Sequence, residues 1–520
     1  MKKTIKLPNR HGKKVDREIQ YIPMRYIFAM LITILEIIMV IGVMFLLAMY
    51  IPYFYIAIYI TVVGVVISII ASNDNPDYKV PWLLFVICVP IVGFMLYFLF
   101  YKRKLSNKFI KRLKKVGTSL EKNDTIEFNN LENEDKLIKS EALELKNIAN
   151  THLYQSTNIE YYKIGEEMHQ SIIIELKKAK RFVFLEYFIV EEGIFWNSIL
   201  EVLEEKVRDG IEVKVIFDDI GCMTTLPGNY YKILKNKGID AVPFARLKGQ
   251  ADNEFNNRSH RKILVIDGKV GFTGGVNIAD EYINKKVVYG HWKDTGIKLE
   301  GAAVNELTKL FLTDFFINIK NEDINFDNYY VDYKVESSSY VIPFGDGPKP
   351  IYEKNVGKIA IMNLLNHAKD YAYITTPYLI VDNELMRTIE NTALRGVDVR
   401  IIVPHIPDKK LVFEMTKSNY QILIKSGVKI YEYKPGFIHA KSYLADDNVC
   451  IIGTINLDYR SLTHHFENGV WIYKDESLKD IKNDLIDTMN NSIYMNDEKI
   501  KDNLLAKFIR MIVRIFSPLL

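Results

Sequence analysis

Ser259-His260-Arg261-Lys262 opens a run that continues through four strand-forming residues to Asp267, then to Gly274-Gly275-Val276-Asn277. Ile438-His439-Ala440-Lys441 repeats it, with Asp446 and Gly453-Thr454-Ile455-Asn456 at the same offsets. In both copies the histidine precedes the lysine by two residues, the aspartate by seven and the asparagine by seventeen. With 10 histidines in 520 residues, about 0.1 accidental occurrence of H-x-K-x4-D is expected in the whole chain. Two occurrences with matching glycines and asparagines downstream therefore mark a duplicated unit.

Working outward, the flanking sequence is duplicated too. Residues 168–190 (MHQSIIIELKKAKRFVFLEYFIV) read as an amphipathic helix running into an apolar strand, and so do residues 359–381 (IAIMNLLNHAKDYAYITTPYLIV). Each is followed by a helix, a turn glycine (Gly210 or Gly396) and a β-branched strand. Helix alternating with buried strand predicts an α/β fold, here two tandem α/β domains packed as a pseudo-two-fold dimer with a cleft where the copies meet.

Residues i and i+2 of a strand share a face, so His260 and Lys262 project together, as do His439 and Lys441. Two such strands side by side gather two imidazoles and two ammonium groups. That clustering repels itself unless an anion is bound, and a phosphate fits: lysines supply charge, asparagine amides supply donors and glycines admit close backbone approach. Substitution at phosphorus needs two histidines in different roles, one attacking as neutral imidazole and one protonating the leaving oxygen. No metal or other cofactor is called for, since lysine and imidazolium can offset the developing charge. A carboxylate that fixes each ring's tautomer is expected at Asp294 and Glu467. Asp267 and Asp446, at odd spacing from their histidines, face the other way and are read as partners of nearby basic or backbone groups at the strand ends. His464 and His465 lack a second metal-ligand pair and read as surface or supporting residues. Tyr187 and Tyr378 read as core aromatics at equivalent strand ends. Gly274-Gly275 opens no G-x-G-x-x-G helix and is not a dinucleotide fingerprint.

Composition narrows the class. A net charge of +4 is too weak to make nucleic acid the partner, and three scattered cysteines exclude a disulfide scaffold or cysteine-based zinc cluster. Residues 26–50, 53–72 and 81–101 are apolar enough to be read as membrane helices, within a membrane region spanning 1–104. Lys and Arg flank both ends of that region, pulling both to the cytoplasm, so one stretch is expected to be re-entrant or interfacial; Glu36 marks the first stretch for that, Pro90 and Gly93 the third. The globular part is expected to face the cytoplasm. A charged linker or surface helix (105–155) leads to the first domain (156–332) and the second (333–503). Residues 504–520 form an amphipathic segment suited either to an anionic lipid surface or to docking on the core.

These residues resemble the phospholipase D superfamily, whose hallmark is the paired H-x-K-x4-D-x6-G-[GST]-x-N motif. Within it the likeness is greatest to bacterial cardiolipin synthases and covers nearly the whole chain, including GGVNIADEYIN, NLDYRSL, EYF, TPYL and the closing IFSPLL. The resemblance implies a multi-pass protein of the bacterial cell membrane. It implies a catalytic set of His260, Lys262, Asp267, His439, Lys441 and Asp446. Asn277 and Asn456 would help the lysines hold phosphate, and Asp294 and Glu467 would orient the histidines. His260 would attack one phosphatidylglycerol and His439 would protonate the departing glycerol, then activate a second phosphatidylglycerol to give cardiolipin. A hydrolase, a transferase using another alcohol, and a non-catalytic lipid-binding scaffold are the competing readings.

Overall fold

A computed structural model describes residues 2–8, 14–20, 24–50, 52–100, 111, 131, 135–246, 256–319, 325–496 and 504–519. The basic flank at 102–115 lies outside the described residues apart from Lys111, and the charged stretch at 121–144 is described only at Leu131 and from Asp135 onward; of the basic flank before residue 26, residues 2–8, 14–20 and 24–25 are described.

The duplication is visible strand for strand. The first sheet runs in the order 157–162, 296–301, 270–274, 262–266, 182–187, 212–218, 240–244. The second runs 340–346, 467–473, 449–453, 442–445, 371–375, 398–404, 429–433 and adds 492–495 at its edge. In both, three neighbouring strands are parallel and the strand after the motif histidine enters antiparallel between the halves of the sheet.

Alternation along the strands builds three layers of core. Val183, Leu185, Leu264 and Ile266 face the helices Gly165–Lys177 and Ile194–Arg208, which cover the first sheet. Phe184, Ile263 and Val265 face inward, where they share one core with Ile402, Leu444, Ile452 and Val470 of the second sheet. The helices Val304–Asn318 and Ser477–Asn490 contribute to this shared layer. The outer face of the second sheet is covered by Val356–His367, Asn383–Leu394 and Lys410–Lys425. Burying apolar surface between the sheets, at roughly 25 cal/mol per Å², fuses the repeats into one body.

Part of the expected linker is packed rather than solvated. Its helix Lys136–Ala149 presents Ile138, Ala142 and Leu145 to the second half, and buried Glu141 accepts from Trp471 Nε1 at 3.2 Å and pairs with His367.

The apolar region begins with the helix Met24–Tyr50, whose 30–47 window is long and apolar enough to cross a membrane, and continues as Pro52–Ala71. The third apolar stretch is not a single span. It breaks at Val89 into Pro76–Cys88 and Pro90–Phe100. Trp82 and Tyr97, which a straight helix would hold roughly 22 Å apart, meet edge to face with centroids at 6.1 Å. Pro90 removes a helical donor, and a Cβ at Gly93 would overlap the carbonyl of Phe85, so the chain folds back there.

This hairpin is bonded to the second half. Asn75 donates to Asp382 (2.7 Å), Tyr78 pairs with Thr463 (2.6 Å), and Asp77 accepts from Tyr459 (3.1 Å) and from the Asn383 N–H (2.7 Å). The C-terminal helix Leu504–Phe516 is docked there too, through Phe516 against Phe85 and an Arg510–Glu414 ion pair at 2.9 Å, while Met511 and Ile512 remain exposed.

Candidate active site

The two halves meet through matched short segments. Gly436–Ile438 pairs in parallel with His291–Lys293, and Ser259 bridges Phe466 in the same sense. The N–H of His439 donates to the Lys293 carbonyl (2.7 Å) and that of His260 to the Phe466 carbonyl (2.8 Å). Each catalytic candidate is thereby placed one residue out of register with a carboxylate of the opposite half.

The side chains complete the exchange. His260 Nδ1 is 2.9 Å from Glu467 Oε2, and His439 Nδ1 is 2.6 Å from Asp294 Oδ2. Each ring's second nitrogen, Nε2, takes no part in these pairs. The spacing identified both carboxylates; that they cross between the copies is visible only in the fold. Lys262 donates to the carbonyl of His260 at 2.7 Å, and Lys441 bonds the carbonyl of His439 and lies 2.8 Å from its Nδ1. All six of these side chains are buried.

Burial pushes the His260 imidazole down to about 3 against the pull of Glu467, and, with Lys441 beside it, pushes His439 down to about 4. Burial also lowers the ammonium groups, Lys262 to about 7 and Lys441 to about 8. Burial alone would raise the carboxyls, but His439 and Lys441 hold Asp294 below the usual range, and His260 and His465 hold Glu467 well below it. These directions favour an ionised carboxylate beside a neutral imidazole in each pair, the ring turning Nδ1 toward the acid and Nε2 away from it.

Asn277 is held in the framework: its Oδ1 accepts from the Ile189 N–H (3.1 Å) and its Nδ2 donates to Tyr282 (2.8 Å). Asn456 is buried with Oδ1 hydrogen-bonded to no described residue, so the two asparagines are not equivalent despite identical spacing. Asp267 and Asp446 are placed apart from the histidines of their motifs. Both lie beyond the opposite ends of their strands. Asp267 accepts from the N–H groups of Lys180, Arg181 and Phe182 (2.7–3.1 Å, nearest oxygens), and Asp446 from those of Lys369, Asp370 and Tyr371 (2.7–2.9 Å). They pin the start of the neighbouring strand and touch no reacting group. Tyr187 is core, while Tyr378 is half-buried and donates to Asp408 at 2.7 Å.

His465 belongs to the site. Its ring lies 5.4 Å from that of His260, and its Nδ1 is 3.7 Å from Glu467 Oε1. The signal in the sequence was its place two residues before Glu467, in the bend between the helix Tyr459–Thr463 and the strand Glu467–Tyr473. Donor atoms of His260, His465 and Glu467 lie within 4.8 Å of one another. With the Lys262 and Lys441 ammonium groups in the same site, however, the charge suits an anion better than a metal ion.

Duplicated sheets whose histidine–carboxylate pairs cross at a shared interface make this a phospholipase D-like enzyme. The family model described as "Cardiolipin synthase, PLD-like domain" matches residues 172–293 and 361–489, and that described as "Phospholipase D-nuclease N-terminal" matches 57–100. Over 465 residues the chain is 38% identical to an uncharacterised protein of Streptococcus mutans, covering 88% of this chain and 100% of that one. Over 479 residues it is 33% identical to a cardiolipin synthase of Halalkalibacterium halodurans, covering 90% and 94%. A crystal structure of phosphatidylserine synthase from Haemophilus influenzae superposes with a TM-score of 0.55 at 17% identity, over 74% of this chain and 98% of that one, which shows a common fold. The chain belongs to the cardiolipin synthase family of phospholipase D-type phosphatidyltransferases.

Proposed function

We propose that the enzyme transfers a phosphatidyl group from one phosphatidylglycerol to another, releasing glycerol and forming cardiolipin, through a phosphatidyl-histidine intermediate. The observation that carries this reading is the crossed pairing, Glu467 on His260 at 2.9 Å and Asp294 on His439 at 2.6 Å, which presents two oriented imidazoles to one buried, lysine-lined space.

In the first step the Nε2 lone pair of His260 forms the N–P bond, the P–O bond to glycerol breaks, and Nε2–H of His439 gives its proton to the departing oxygen. In the second, His439 takes the proton of the acceptor's headgroup hydroxyl, whose oxygen bonds phosphorus as the N–P bond breaks. The phosphodiester's own negative charge, entering beside Lys262 and Lys441, raises the proton affinity of His439 and equips it as the acid. Lys262 and Lys441 offset charge on the phosphoryl oxygens, and Asn456 offers a further polar contact. Assigning the attack to His260 rather than His439 rests on the family resemblance.

Transfer outruns hydrolysis when the acceptor lipid, not water, reaches the intermediate. The apolar helices and the hairpin bonded to the second half support a multi-pass protein that draws both lipids from the bilayer, with its globular part on the cytoplasmic side. Incubation in phosphatidylglycerol vesicles tests the reading: glycerol release matched by cardiolipin is expected, whereas accumulating phosphatidate identifies a hydrolase and no product a binding protein.

A further inference from the structure

The two half-sites are not alike. Two residues before each carboxylate, the first half carries Trp292 and the second carries His465. They occupy matching seats about the pseudo-two-fold: Trp292 packs on His439 with ring centroids 5.7 Å apart, and His465 packs on His260 at 5.4 Å. The carboxylates differ as well. Asp294 is short, accepts from His439 and from the Thr295 N–H (2.9 Å), and fills the space a Cβ at Gly275 would need. Glu467 reaches one methylene further, and Thr454 stands where the first half has Gly275. Oε2 of Glu467 takes His260 and the Thr454 hydroxyl; Oε1 takes the Ser461 hydroxyl at 2.7 Å and faces His465 Nδ1 at 3.7 Å. That Nδ1 is buried and hydrogen-bonded to no described residue, so Glu467 is its natural partner after a small ring rotation.

We propose that His465 is a positioning residue for formation of the phosphatidyl-enzyme: it fastens Oε1 of Glu467 so that Oε2 stays aimed at Nδ1 of His260 while the N–P bond forms. The inference rests on the mechanism given above. As the Nε2 lone pair of His260 bonds phosphorus and the P–O bond to glycerol breaks, with the proton passing from His439 to the departing oxygen, His260 keeps its Nδ1–H and becomes cationic. Glu467 balances that charge, and a carboxylate free to rotate does so less well. His465 also packs in one cluster with Phe188, whose ring centroid lies 5.1 Å from that of His260 and 6.4 Å from that of His465. Trp292 gives His439 a packing surface, and its buried Nε1 is hydrogen-bonded to no described residue, whereas His465 Nδ1 lies 3.7 Å from its carboxylate; in the mechanism above His439 only shuttles a proton and carries no covalent adduct.

The test compares His465→Phe, which keeps the packing, with His465→Gln, which restores an N–H donor. Single-turnover labelling with phosphorus-labelled phosphatidylglycerol in vesicles reads the rate of adduct formation, and peptide mapping reads its position. The expected result is adduct on His260, a fall of about tenfold to a hundredfold in His465→Phe with KM unchanged, and recovery to within about threefold in His465→Gln. Equal rates in wild type and His465→Phe, or equal losses in both variants, overturn the role of His465. Should the phenylalanine variant fail to fold, His465→Trp, the residue the other half accommodates in that seat, carries the same expectation. Adduct on His439 overturns the mechanism beneath the proposal instead.

Discussion

Because the carboxylates cross between the halves, Glu467→Gln and Asp294→Asn should impair different half-reactions. Glu467 is buried, ionised and bonded to His260 at 2.9 Å, so the glutamine variant keeps shape and loses charge. A hydrogen bond to a charged group contributes about 1.5–3 kcal/mol, which is roughly tenfold to a hundredfold in rate. An amide can also present its NH2 to Nδ1 and favour the wrong tautomer; in a triad of this logic that costs up to about 10⁴. The expectation is a fall of 10²–10⁴ in the rate at which labelled phosphatidyl groups appear on His260. Asp294→Asn should leave the donor of the leaving-group proton, His439, without its partner at 2.6 Å. That variant should accept activated donors with good leaving groups, which need no proton, and then stall with adduct on His260 because the acceptor hydroxyl is not deprotonated. Rapid-quench labelling with phosphatidylglycerol and with a phosphatidyl-nitrophenol donor separates the two steps. If both variants lose adduct formation equally with the activated donor, or if Glu467→Gln stays within threefold of wild type, the crossed division of labour is wrong.

Gly275→Ala should abolish activity with little loss of fold, since the new methyl group would displace Asp294 from His439; circular dichroism and the vesicle assay check this together. Asp267→Asn and Asp446→Asn should lower Tm while the folded fraction keeps its turnover, because each carboxylate caps three strand-start N–H groups and touches no reacting atom; about 1.5–3 kcal/mol is at stake at each. Phosphate binding needs ammonium groups, and burial lowers Lys262 to about 7 and Lys441 to about 8, so kcat/KM for phosphatidylglycerol should fall as pH rises through 7–8. The sign for stability is opposite. Lys262 lies below its unfolded value of 10.5, the unfolded chain therefore binds more protons between the two, and the fold should gain stability from pH 7 to 10.5 in a denaturant series.

Spacing carried much of this site. His260, Lys262, His439 and Lys441 could be read from strand periodicity, and Asp294 and Glu467 from their place after each motif, because local geometry and duplication fix which residues share a face. The odd offset likewise turned Asp267 and Asp446 away from the histidines. What spacing did not carry is contact between distant segments. The exchange of carboxylates depends on Gly436–Ile438 pairing with His291–Lys293. The inclusion of His465 depends on the segment leading out of Tyr459–Thr463. Asn277 and Asn456 have equal offsets yet different partners, because Tyr282 bonds the first asparagine's side chain while Ser461, at the matching place, bonds the second's N–H. The apolar stretch 81–101 has the composition of a span; Pro90 and Gly93 were the clue to its folding back, and Trp82 packing on Tyr97 is the result.

The claim that one phosphoryl group is handled by both halves together is tested most directly by single-histidine variants in the vesicle assay. His260→Ala and His439→Ala should each cut cardiolipin formation by 10³-fold or more, since neither half completes a cycle alone. Retention of about half the wild-type rate in each variant would mean two independent sites and would contradict the account.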